Sequence, residues 1–435
     1  MAACTTNRGL IAIIILVAIF FVFALVVLDQ LLPITRGATT SSDIIAAGPD
    51  KLTDDLISWL RSNGAFIDER LSIRHVDPTD PTSVRGIFAD HGPFKEDETL
   101  FTIPNDLIYD GKVREVKKNA NKVWTDHHND CGTTYEIHNA MLGGDGDTPY
   151  GRYLAHQPKR YIPGYWYSEG RELLGIILGE NLPRQRAVED AVQEGWLDYC
   201  KGATSDELEV HASQLVTARA DGDLMVPYYD MINHRNGHWY NARHSHTRKK
   251  GFSLVTNQKV EQGEQLYCSY NTCTICGSRI DTWGTPEMFE GYGFVEPFPQ
   301  RYSFESVRLK FGLDEKKGGH KSGKAKSNGG DDDRDGLIVK WYVLPSQKGL
   351  DFLETELNRL RKVGTRKDEL KRNAKGKQEI PESEWNAIWS FHQAMVVAFT
   401  TALEQAPAVS NEVWNMGPHD WYKDRSGVGP PNRFY

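Results

Sequence analysis

The chain has 435 residues, with 51 Lys and Arg against 59 Asp and Glu for a formal net charge of −8. At 39% hydrophobic and 25% charged it has the make-up of a globular protein with a buried core, and its length suits two or three domains. The acidic balance argues against nonspecific nucleic-acid binding and is compatible with a cationic partner such as a lysine-rich protein.

Residues 10–28, LIAIIILVAIFFVFALVVL, run without a charge. The run is long enough to cross a hydrocarbon core of about 30 Å, and longer than the ~7–15-residue apolar core of a cleavable signal peptide. It predicts a tail with a single membrane anchor over 1–36 and a linker over 37–49, rich in Pro, Gly, Ser, Thr and Ala. Arg8 and the amino terminus precede the span, and Asp29 and Arg36 follow it. That balance favours a lumenal or extracellular main domain. The absence of any Asn-x-Ser/Thr sequon leans the other way.

Leu52, Leu56, Trp59 and Leu60 share one face of a helix that Asn63-Gly64 is suited to stop. Strand patterns follow at 71–76, 85–90 and 98–104; residues 110–215 read as a helical insert, and strands return at 252–257 and 264–270. Past Pro299, strand candidates at 302–311 and 337–345 flank 312–336, whose Gly, Lys and Asp with no aromatic residue predict a disordered loop. Leu350, Leu353, Leu357 and Leu360 line one helix; Trp385, Ile388, Trp389, Phe399 and Leu403 line much of another. This gives an α+β chain with one domain over 50–298, a small, mainly helical lobe over 299–408 and a tail over 409–435.

The segment YYDMINHRNGHWYNARHSH (228–246) carries His234 and His238 at H-x3-H spacing, then His244 and His246 at H-x-H. A catalytic zinc site needs three converging ligands plus water. Asn-Gly inside the first pair is turn-forming, and the basic run HSHTRKK would repel a cation. His238, His244 and His246 therefore read as solvated loop residues. Cys273 and Cys276 form a CxxC that is half a structural zinc site, a redox pair or two plain thiols. The six cysteines do not have the spacing of a disulfide framework.

Three separated pieces carry more information: VRGIFADHGPFKEDETLFTIP (84–104), LMVPYYDMINHRNGHWYNA (224–242), and VEQGEQLYCSY (260–270) followed by GYGFVEP (291–297). In this order they resemble the SET-domain methyltransferases, in particular the Rubisco large-subunit lysine methyltransferase branch. Its members methylate non-histone proteins, mostly on lysine and in some cases on histidine. Leu56 to Leu60 with Gly64, Tyr153-Leu154 followed by Pro163 and Trp166, and Leu215 to Arg219 fit the same pattern. The pattern departs from the family at Val84 and Asn271, where glycines are usual.

The resemblance implies a β-rich SET core with a helical insert and S-adenosyl-L-methionine as cofactor. It implies a lysine-bearing protein as substrate, with no nucleic acid and no catalytic metal. Tyr270 would be the catalytic tyrosine. Arg85, Gly86, Ile87 and Phe88 would form the turn approaching the cofactor; Asn233 and His234 would hold its two ends. Arg219 would lie near its carboxylate, with Phe294 on adenine and Tyr292 and Tyr228 lining the substrate channel. A histidine methyltransferase and a degenerate SET-domain binding module are the alternatives. Methyl transfer from a sulfonium is an in-line displacement by a neutral amine, so the enzyme supplies alignment more than a reactive group. A lysine amine, with an unperturbed pKa of about 10.4, must first lose a proton, which an aromatic-walled channel favours.

Overall fold

The computed structural model describes residues 49–80, 83–111, 129–143, 148–180, 190–203, 206–247, 249–271, 284–316, 336–374 and 379–407. The apolar run 10–28, most of the expected loop, Cys273, Cys276 and the tail over 409–435 lie outside these residues. Among the described residues no helix is long and apolar enough to cross a membrane.

Helix α1 (Pro49–Ser62) buries Leu52, Leu56 and Leu60 and ends on Gly64, at φ +87°. Four short strands follow: β1 (Phe66–Ile67), β2 (Ser72–His75), β3 (Arg85–Phe88) and β4 (Thr99–Ile103). The insert supplies α2 (Asn129–Leu142), α3 (Pro149–Ala155), α4 (Ser168–Leu178), a π-helical segment Ala191–Tyr199 and α5 (Glu207–Arg219). The chain then forms β5 (Asn233–His234), β6 (Ala242–Thr247), β7 (Gly251–Thr256), β8 (Tyr267–Cys268) and α6 (Thr285–Tyr292). Strands β9 (Gln300–Phe304), β10 (Leu309–Glu315) and β11 (Leu337–Val343) precede α7 (Gln347–Thr365), α8 (Lys367–Ala374) and α9 (Glu382–Glu404).

An antiparallel sheet runs in the order β1-β4-β7-β6, a second in the order β11-β10-β9, while β2 pairs with β3 and β5 pairs with β8 in parallel. The first core gathers Leu56, Ile87, Phe101, Val226, Phe252 and Leu266 under the β4–β7 sheet. Non-local hydrogen bonds join its pieces at the site. The Ala89 N–H donates to Glu264 O (2.9 Å) and the Leu266 N–H to Ile87 O (2.8 Å), so the 264–266 segment lies beside β3. The β5–β8 pair sets Asn233 against Tyr267 and His234 against Cys268. Three segments distant in sequence thereby meet.

The C-terminal lobe is less purely helical than its composition suggests. A three-stranded sheet packs with α7 and α9, and Gly312 to Glu315 extend β10 where a loop was expected. Pairing explains the extension: Leu313 lies opposite Val339 and Glu315 opposite Leu337, so cross-strand neighbours override local composition. The expected strand 302–311 is broken at Glu305–Val307, where Arg308 adopts φ +52°. Trp166, Leu174 and Ile177 of the insert and Phe289 of α6 join this second core, which therefore reaches across residue 298. The expected strand 264–270 shortens to Tyr267–Cys268.

Cys131 on α2 and Cys200 form a disulfide across a sequence separation of 69, a pair that cysteine spacing did not indicate. It closes a loop containing most of the insert. Replacing both cysteines by serine is expected to cost about 2–4 kcal/mol, since a cross-link restricts the unfolded chain. Urea denaturation with and without reductant measures this; coincident curves would remove the cross-link from the stability of the fold. Cys268 is a buried thiol whose Sγ donates to Ala242 O (3.3 Å), and burial pushes its pKa up.

Candidate active site

At the meeting of β3, β5 and the segment ending at Tyr270, backbone replaces side chain at Gly86. A Cβ there would stand 2.1 Å from Gln265 Nε2 and 2.8 Å from Asn233 Nδ2. Asn233 uses that amide to donate to Arg85 O (2.9 Å), tying β5 to β3. Gly86→Ala is expected to cost about 1–3 kcal/mol through overpacking. Thermal unfolding checks this, and an unchanged melting temperature would mean that Gln265 swings aside freely.

His234 is fully committed. Its Nδ1 accepts the Tyr270 backbone N–H (2.9 Å), and Nε2 lies 3.0 Å from Glu296 Oε2. A backbone amide can only donate, so Nδ1 carries the lone pair and Nε2 the proton, which it gives to Glu296. Both ring nitrogens are thereby spent, and neither is available to a metal. The Glu296 side chain has no solvent exposure. Its Oε2 also accepts from Asn236 (3.1 Å) and Asn271 (3.3 Å), and Oε1 accepts from the Thr285 hydroxyl (2.6 Å) and the Arg301 backbone N–H (3.3 Å). Asn271, where the family pattern has glycine, thus helps hold the carboxylate.

The Tyr270 ring centroid lies 5.2 Å from His234 and 5.0 Å from Tyr292; Phe294 lies 6.2 Å from Tyr292 and 6.3 Å from His234. These four rings close a circuit. Gly293 makes it possible to place two of them: it ends α6 at φ +75°, and a Cβ there would be 1.9 Å from Tyr161 O. The Tyr270 hydroxyl donates to Ile232 O, and burial raises its pKa, helped by the neighbouring Tyr292 phenol. Burial also pushes Tyr292 up to about 12. Both phenols are therefore neutral at physiological pH.

Beside this circuit lies an incompletely satisfied polar cluster. Arg219, the last residue of α5, reaches Asp230 Oδ2 (3.3 Å), Asp230 O (3.2 Å) and Gln157 Oε1 (2.9 Å). Burial raises the Asp230 pKa to about 6, and Arg219 opposes the rise. Arg219 Nε, Asp230 Oδ1 and Tyr150 Oη are buried with no hydrogen-bond partner. Leaving such an atom unpaired costs about 1–3 kcal/mol, so the cluster suits a polar ligand. Its donors and acceptors would suit an ammonium–carboxylate group: Asp230 Oδ1 can accept from a cation, while Arg219 Nε and Tyr150 Oη can donate to an anion. Asp230 lies two residues before Ile232, whose carbonyl accepts the Tyr270 hydroxyl, which sets the cluster near the circuit.

Other expected residues fall elsewhere. Arg85 directs Nη1 to the Thr53 hydroxyl (2.7 Å). Ile87 is fully buried in the first core, and Phe88 lies under the Arg74 guanidinium, 3.5 Å from its ring centroid. Only the backbone of this turn lies beside Asn233. Tyr228 is absent from the circuit: it is 1% exposed, sits at φ +75°, and meets the Phe101 ring edge-on at 5.1 Å. Its described ring neighbour, Phe101, belongs to the first core. His244 and His246 are strand residues on β6 instead of loop residues. His244 Nε2 contacts Asp221 Oδ2 (2.9 Å), and His246 Nε2 contacts Asn105 Oδ1 (2.8 Å). His238 lies in a short turn against Trp239. Glu296 and Asp230 were missed; their one signal is an acidic residue placed within otherwise apolar runs, FVEP and YYDMI.

No protein-family model matches the chain, and no curated protein matches it. Among solved structures it is similar to Rubisco LSMT bound to sinefungin and monomethyllysine, at 13% identity and a TM-score of 0.42, over 81% of this chain and 90% of that one. It is also similar to Rubisco LSMT bound to AdoMet, at 14% identity and a TM-score of 0.40, over 87% of this chain and 97% of that one.

Proposed function

We propose that the chain transfers a methyl group from S-adenosylmethionine to the side-chain amine of a lysine in a protein substrate. The observation that carries this reading is the Tyr270–Tyr292–Phe294–His234 circuit beside the unsatisfied Arg219–Asp230 cluster. When bound, the cofactor supplies an electrophilic sulfonium methyl. The protein supplies position and desolvation. Arg219, Tyr150 and Asp230 would hold the amino-acid end, and the backbone at Gly86 with Asn233 would permit close approach. The rings of Tyr270, Tyr292 and Phe294 would exclude water and favour the neutral amine. With its proton committed to Ile232 O, the Tyr270 oxygen retains lone pairs for an incoming N–H, which aligns the nitrogen for in-line attack.

In this proposal residues 10–28 anchor the chain in a membrane, with the main domain on the lumenal or extracellular side. The Cys131–Cys200 disulfide supports an oxidising compartment. Protease protection in sealed vesicles tests the topology, and digestion from the cytosolic face would reject it.

Calorimetry of the full-length protein with S-adenosylmethionine tests the cofactor assignment. Saturable binding that weakens by at least about tenfold in Arg219→Ala is expected, an effect of about 1.4 kcal/mol or more. Absence of binding to the native protein would favour a degenerate binding module and reject both lysine and histidine methyl transfer.

A further inference from the structure

We infer that the junction of α2 and α5 is a binding site for a divalent first-row cation of the zinc type, separate from the aromatic circuit. A ring nitrogen of His138, a carboxylate oxygen of Asp206 and one of Glu209 lie within 4.8 Å of one another. The His138 side chain is 9% exposed, and its Nε2 is buried without a hydrogen-bond partner although Asp206 Oδ2 lies 3.2 Å away. A buried imidazole nitrogen held against one carboxylate outside good hydrogen-bond geometry, with a second carboxylate close by, is poorly satisfied by the protein alone.

The rest of each carboxylate is already fixed. Asp206 caps α5, its Oδ1 accepting from the Leu208 and Glu209 backbone N–H groups at 2.9 and 3.2 Å, while Oδ2 faces His138. Glu209 Oε2 accepts from Trp196 Nε1 (3.2 Å) and the Ala203 N–H (2.7 Å). These bonds orient ligands in the way that outer contacts orient metal ligands. Asp206 and Glu209 are three apart at the start of one helix and so share a face. The α5 N-terminus contributes about half a positive charge, too little to offset two carboxylates.

One imidazole and two carboxylates make a nitrogen–oxygen donor set suited to Zn²⁺, with a coordination position left for water. Hard cations such as Ca²⁺ prefer all-oxygen shells. The site lies along the same pair of segments as the disulfide: Cys131 and His138 are seven apart on α2, while Cys200 and Asp206 lie before α5. A bound ion would fix α5 against α2, and α5 ends at Arg219.

The test uses untagged full-length protein, stripped with a chelator and dialysed against Zn²⁺ alone. Metal content and thermal unfolding are measured for the native chain, His138→Asn and Glu209→Gln. The glutamine retains an oxygen to accept from Trp196 and Ala203, so this second variant carries the test if the first fails to fold. Each variant is expected to bind one ion fewer than native, with affinity at this site reduced more than about tenfold. Each should also lose the zinc-dependent rise in melting temperature. Zinc content and melting rise equal to native in a folded variant would overturn the inference, as would the absence of zinc binding by the native chain. Zinc held elsewhere cancels in the difference.

Discussion

Tyr270→Phe is expected to lower methyl transfer at least about 100-fold while leaving cofactor binding intact, since small misalignments of reacting atoms have effects of this size. The substitution keeps the ring, and with it the contacts to His234 and Tyr292. It removes the hydroxyl that donates to Ile232 O and that would accept the substrate N–H. The carbonyl left behind costs about 1–3 kcal/mol of stability. Rates with labelled cofactor, paired with calorimetry, separate the two effects. A variant with native turnover would remove Tyr270 from the chemistry.

Glu296→Leu is expected to have the largest effect on folding, about 3–5 kcal/mol, because it strips the acceptor from several buried donors at once. His234, Asn236, Asn271 and Thr285 all donate to this carboxylate. The damage passes to Tyr270: without Glu296, His234 loses the partner that fixes its tautomer, and Nδ1 is no longer held for the Tyr270 N–H. Glu296→Gln keeps the shape but replaces an acceptor oxygen with a donor, so an intermediate loss is expected. Chemical denaturation of both variants measures the cost. Native stability in Glu296→Gln would show that the carboxylate charge contributes nothing. A fall in kcat exceeding any change in KM for the same variant would mark Glu296 as a positioning residue.

The parts legible in the sequence were those with local pattern. Strands β3, β4 and β7 announce themselves by apolar β-branched and aromatic residues, and α1, α7 and α9 by their helical spacing. Strands β1, β5 and β8 have two residues each, too few to carry a period. Strand β6 reads ARHSHT and looks like loop; it exists because β7 offers it a full antiparallel register from Ala242 opposite Thr256 to Thr247 opposite Gly251. In the site, Asn233, His234, Tyr270, Tyr292 and Phe294 came from motif order, and the structure brings them together. Glu296 was invisible because its partner His234 is 62 residues away. The resemblance puts Tyr228 in the channel, but motif membership does not say which side of the backbone a ring occupies; here the ring packs against Phe101. The Cys131–Cys200 pair depended on α2 meeting the end of the π-helical segment, a tertiary event without a local signal.

The most direct test of the central claim is transfer of labelled methyl from S-adenosylmethionine by the full-length protein to proteins of a cell extract, followed by amino-acid analysis of the product. Label on lysine, and lost with Tyr270→Phe, is the expected result. Label on histidine, or label that survives the substitution unchanged, would contradict it.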